Sequence, residues 1–270
     1  MTIYARTLAR LSRRELMKIA CALGAAAVGS PIVGKRLFAK PVFDAYPFSM
    51  GVASGDPLPD GIVLWTRLAP KPLEGGGMPM STVDVAWEIS RDEHFQDVIQ
   101  KGTAVARPEL AHSVHVEVAG LQPSRDYWYR FRAGDAVSQV GRARTAPPEG
   151  APVDRLRFAV CGCQHYEDGY FTAFRRIAEE QFDFVFHTGD YIYEGAAEGG
   201  PNDQRIRHHN SPELFTLSDY RNRYALYKTD QDLIAPRPDS MIGGPSAKPT
   251  RFAENFHMLN NRRRLSTAGQ

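Results

Sequence analysis

The sequence predicts a multidomain protein in which a β-sandwich is followed by the first part of an α/β domain, and three observations predict it. Residues 48–145 carry short runs of alternating polar and apolar side chains, broken by Pro and Gly and leaving no room for a long helix. Residues 144–154, with Pro147, Pro148, Gly150 and Pro152, have turn composition and no period. Beyond them an apolar strand, a helical spacing and a second apolar strand follow in β-α-β order. With 270 residues, 43% hydrophobic and 24% charged, the chain has enough apolar material for both parts.

In the first part, residues 83–89 and 113–118 alternate cleanly, as strands with one buried face do. Trp65 and Trp87 are expected in the core, because large rings supply much of the buried area. The stretch Leu121-Gln122-Pro123-Ser124-Arg125-Asp126-Tyr127 resembles the turn into a late strand of a fibronectin type III sandwich, with Tyr127 placed as its corner tyrosine. This gives a fibronectin type III-like sandwich over residues 46–146.

In the second part, residues 156–160 and 182–186 read as parallel strands, and residues 169–180 as the helix between them, with Phe171, Phe174, Ile177 and Ala178 on one side. Reactive groups in open α/β sheets gather beyond the carboxyl ends of the strands. Those ends carry Cys161-Gly162-Cys163-Gln164-His165 and His187-Thr188-Gly189-Asp190-Tyr191-Ile192-Tyr193-Glu194. Cys163, Asp190 and Tyr193 would meet at one edge. A thiolate, a carboxylate and a phenolate repel one another without a cation, and together suit a highly charged one such as ferric iron. His165 and His187 read as supporting or packing residues, Cys161 as a small buried side chain, and His208-His209 as part of a solvated loop.

The N-terminus has the layout of a signal peptide over residues 1–39. Arg13-Arg14 precede a weakly hydrophobic run rich in Ala and Gly, and the run ends in small residues. Paired arginines in that setting resemble a twin-arginine signal, which implies the twin-arginine export machinery as a partner and a periplasmic or extracellular location. The run is too short for a membrane span and holds Gly24, Gly29 and Pro31, so no permanent membrane anchor is expected. A net charge of +2 gives no basis for specific nucleic-acid binding. Cys21, Cys161 and Cys163 cannot form a disulfide framework, and one residue between the last two argues against a thioredoxin-like redox motif.

Several blocks then match a family. Phe48-Ser49-Met50-Gly51-Val52-Ala53-Ser54-Gly55-Asp56-Pro57, Cys163-Gln164-His165-Tyr166-Glu167, His187-Thr188-Gly189-Asp190-Tyr191-Ile192-Tyr193-Glu194 and Asp219-Tyr220-Arg221-Asn222-Arg223-Tyr224 resemble consecutive motifs of PhoD-type alkaline phosphatases. The resemblance implies a calcineurin-like metallophosphoesterase domain, of which residues 155–234 would be an incomplete copy. It also implies hydrolysis of phosphomonoesters and phosphodiesters, small or polymeric, at a cluster of Fe(3+) and Ca(2+). Cys163 would ligate iron, Asp190 would bridge iron to calcium, and Tyr193 would be the iron phenolate. The family's later Asp-Asp-His-Glu and Asp-x-His motifs have no counterpart, so residues 235–270 are expected to form a disordered or out-of-frame tail and the chain to be inactive as it stands. A non-catalytic exported binding module built on the sandwich is the other class the sequence leaves open.

Overall fold

The computed structural model describes residues 41–180, 182–197, 199, 203–235 and 240–243. The expected leader over 1–39, with Arg13 and Arg14, lies outside the described residues, as does the expected tail beyond 243. Among the described residues no helix is long and apolar enough to cross a membrane.

The alternating runs form two facing sheets. β1 (Val52–Leu58), β2 (Gly61–Arg67) and β5 (Ser113–Ala119) pair antiparallel in the order β5-β2-β1. β3 (Val83–Ser90), β4 (Val98–Ala106), β6 (Asp126–Ala133), β7 (Ala136–Val137) and β8 (Gly141–Arg144) make the other sheet, in which β6 pairs β3, β7 and β8. Their inward residues, among them Leu64, Val85, Ile89, Val116, Tyr129 and Phe131, form the sandwich core. Tyr127 is buried, and its hydroxyl accepts the Gln122 N–H at 2.8 Å, the corner expected from the sequence. Trp87 packs against that core. Trp65 is buried elsewhere, outside the sandwich core and beside Ala225 and Tyr224 of a later helix.

After the turn-rich segment, β9 (Phe158–Cys161), α1 (Thr172–Glu179) and β10 (Phe184–His187) form the β-α-β unit, and the two strands are parallel. Two helices follow. α2 (Leu217–Tyr227) begins with a capping box, Thr216 Oγ1 accepting from Asp219 N at 3.2 Å and Asp219 Oδ2 accepting from Thr216 N at 2.8 Å. α3 (Gln231–Ile234) is capped by Asp230. Phe171, Phe174, Ile192, Leu226, Tyr227 and Leu233 form a second core, against which Cys161 at the end of β9 packs. Phe158 and Val160 of β9 stay half exposed, with the Phe158 and Phe184 rings stacked at 5.1 Å.

Two sequence expectations change here. Residues 240–243, expected to be without a strand, form β11 (Ser240–Gly243), which pairs parallel with both β10 and β1. The two blocks expected as separate domains therefore share one six-stranded sheet, in the order β5-β2-β1-β11-β10-β9. A strand between two waiting edges gains ladders on both sides, so a four-residue segment with no strand pattern of its own can be recruited.

Candidate metal centre

The parallel register sets Cys161 opposite His187, so the chain leaves both strands at the same edge. Backbone bonds then tie the two exits together: Thr188 N to Cys161 O at 2.8 Å, Cys163 N to Gly189 O at 3.1 Å and Gln164 N to Asp190 O at 3.2 Å. Closeness favours glycine at 162, since a Cβ there would collide with Thr188 Oγ1. Cys163 and Asp190 both adopt left-handed backbone, with φ of 51° and 54°. Non-glycine residues pay for that conformation, and their doing so at two facing positions marks a site whose surroundings hold the strain.

The three residues singled out from the sequence converge on one oxygen. Cys163 Sγ lies 3.6 Å from Asp190 Oδ2, and the Tyr193 hydroxyl donates to the same oxygen at 3.2 Å. The Tyr193 pKa is pushed up, first by burial, then by its hydrogen bond to Cys163 and the adjacent Asp190 charge. Cys163 is exposed, so the cluster opens to solvent. The donor set of thiol, carboxylate and phenol around one point, with an open side, fits a highly charged cation able to take both sulfur and oxygen ligands.

Beneath the cluster lies a buried polar layer. His187 accepts the Gly189 N–H through Nδ1 at 3.2 Å, which puts its proton on Nε2 facing Gln164 Oε1 at 3.3 Å, and Gln164 in turn donates to Tyr191 O at 3.0 Å. The supporting role expected of His187 is what this geometry gives. Cys161 packs against the second core, and neither Cys161 nor Cys163 is in a disulfide.

Sequence reasoning missed the other half of this layer. His209, read as part of a solvated loop, is 5% exposed, and Glu167 is 1% exposed. Glu167 Oε1 accepts the His209 N–H at 2.9 Å, Arg223 Nη1 donates to His209 Nδ1 at 3.0 Å, and His209 Nε2 meets the Tyr227 hydroxyl at 3.1 Å. Fully buried Arg223 also donates to Tyr193 O at 2.5 Å and Gly195 O at 3.0 Å, which fixes the backbone that presents Tyr193. His165 stands edge-on to Tyr193, with ring centroids 4.8 Å apart. His165, Glu167 and His209 could offer three further ligand atoms within 4.8 Å of one another. Burial, followed by the Arg223 charge, lowers the His209 pKa to about 4 against the opposing pull of Glu167, which keeps the imidazole neutral in a supporting role. The one available sequence signal was Arg223 itself, an arginine placed where a helix turns its apolar side inward.

Fold and site together define a sandwich joined through a shared sheet to an α/β unit with an acidic three-donor cluster at its carboxyl edge. Residues 35–147 match the family model described as PhoD-like phosphatase, N-terminal domain, and residues 158–239 match PhoD-like phosphatase. The chain is 54% identical over 202 residues to alkaline phosphatase D of Bacillus subtilis (strain 168), covering 73% of this chain and 34% of that protein. It also matches a solved structure of PhoD at 51% identity and a TM-score of 0.73, covering 76% of this chain and 40% of that one. The chain belongs to the PhoD-like phosphatase family. It spans about a third of the length of the curated relative, at 34%.

Proposed function

We propose that this chain carries part of the catalytic centre of an exported phosphoesterase acting on phosphate mono- and diesters, with Cys163, Asp190 and Tyr193 as ligands to Fe(3+) and Asp190 shared with Ca(2+). The observation that carries the reading is the convergence of Cys163 and Tyr193 on Asp190 Oδ2 at 3.6 and 3.2 Å. The α/β unit is read as calcineurin-like because that is what the likeness to PhoD-type phosphatases implies, and its parallel strands deliver these donors at their carboxyl ends. Bound there, the cations would neutralise phosphate oxygens and activate water. The chain's own residues hold the donors: the left-handed turns at Cys163 and Asp190 aim them, and Arg223 and Gln164 fix the loop that carries Tyr193. Among the described residues the cluster offers three donors, so turnover by this chain alone should fall far below that of its longer relatives. A lone cation lacks the second charge that stabilises the transferring phosphoryl group.

The test is metal content after loading with iron and calcium. Cys163→Ala, Asp190→Ala and Tyr193→Phe should each lose iron, and Tyr193→Phe should also lose the visible phenolate-to-iron absorption. Unchanged iron in all three would sink the assignment. The export reading rests on Arg13-Arg14 and the run behind them. Changing both arginines to Lys should block export, because the pathway reads guanidinium groups and not charge alone, and normal export of that variant would refute it.

A further inference from the structure

Away from the three-donor cluster, Arg67 and Arg221 converge on one turn where the sandwich abuts α2. Arg67 ends β2 and is only 4% exposed. Arg221 lies on the face of α2 that carries Tyr224, opposite the face from which Arg223 reaches the buried layer. Both arginines grip the same turn: Arg67 Nε donates to Ala111 O at 2.9 Å and Arg221 Nη2 to Glu109 O at 2.6 Å. Among the described residues neither forms an ion pair. Among the described residues the hydrogen bond seen for Arg67 uses Nε, so its terminal nitrogens have no protein acceptor there.

The third wall is backbone. Lys71 N and Gly76 O, and Gly76 N and Lys71 O, close a small loop at 3.1 and 3.0 Å. Gly76 sits in that loop at φ 97°, and a Cβ on it would stand 3.6 Å from Arg67 Nη2, so the backbone passes alongside the guanidinium. Burial, and after it the charge of Arg221, lowers the Arg67 pKa to about 10. Desolvating one cation next to another is unfavourable until an anion is shared between them.

We propose that Arg67 and Arg221 form an anion site for a phosphate group, on the sandwich side of α2 and separate from the Cys163–Asp190–Tyr193 cluster. A guanidinium presents paired N–H groups suited to two oxygens of an oxyanion. A carboxylate is satisfied by one such fork, whereas a phosphate has oxygens and charge enough for two.

The probe is inorganic phosphate, titrated calorimetrically into the protein with its metals removed by chelation. The site predicts saturable binding that persists in Asp190→Asn. Arg221→Gln should weaken binding by about tenfold or more, Arg221→Lys by less, and acetate should bind the parent protein more weakly by a similar factor. Melting curves without phosphate establish that the Arg221 variants are folded, and Arg67→Gln provides a second removal of charge at the same place. Phosphate affinity unchanged in both Arg221→Gln and Arg67→Gln would overturn the proposal, as would loss of binding in Asp190→Asn. Absence of saturable binding at millimolar phosphate, or acetate binding as tightly as phosphate, would do so too.

Discussion

Replacing Gly162 by Ala tests how the two strand exits are held together. The φ of Gly162 lies outside the left-handed region, so the backbone itself accepts Ala, and a less flexible unfolded chain would favour the variant by about 0.4–1 kcal/mol. Sterics oppose this. The new Cβ would collide with Thr188 Oγ1 and stand 3.2 Å from Gly189 O and 3.4 Å from Thr188 Cβ. Thr188 can escape only by turning its hydroxyl away, which breaks its 3.2 Å bond to Cys161 O and leaves a tight contact with Gly189. Overpacking of this kind costs about 1–3 kcal/mol, and a hydrogen bond about 0.5–1.5 kcal/mol, so a net loss of about 2 kcal/mol is expected. Thr188→Ala alone should lose only the hydrogen bond. In that background the offending oxygen is gone, and Gly162→Ala should cost less by about 1–2 kcal/mol. Urea denaturation of the four proteins in chelator, so that metal makes no contribution, reads the coupling directly. Additivity to within about 0.5 kcal/mol would show that Gly162 is not there to admit Thr188.

Tyr127→Phe removes the hydroxyl that accepts the Gln122 N–H and should destabilise the sandwich by about 1–2 kcal/mol. A midpoint in urea equal to that of the parent would refute the corner's role. His209 links stability to pH. Its folded pKa of about 4 lies below the ordinary 6.5, so between those values the unfolded chain binds a proton that the folded chain refuses. That difference leaves stability intact above about pH 6.5 and erodes it as pH falls toward 4, by at most about 3 kcal/mol. His209→Gln should show a shallower loss over that interval in denaturation measured at each pH, and an identical profile would remove His209 as the cause.

Much of this protein was legible because its signals are local. Alternation placed the sandwich strands, and the Leu121–Tyr127 spacing placed the corner. The β-α-β order required Cys163 and Asp190 to leave adjacent parallel strands at one edge, with Tyr193 three residues further on. The sequence alone thus determined which donors face one another, because pleat, register and crossover leave little choice once two strands are parallel. Tertiary structure decided what depends on partners distant in the chain. Residues 240–243 became a strand because β1 and β10 both offered unpaired edges, and that strand merged two expected domains into one sheet. Trp65 went to Tyr224 and Ala225 because α2 packs there. His209 lost its solvent because Glu167, Arg223 and Tyr227 converge on it from separate segments. Burial of a polar group is set by its partners, and no local pattern records them.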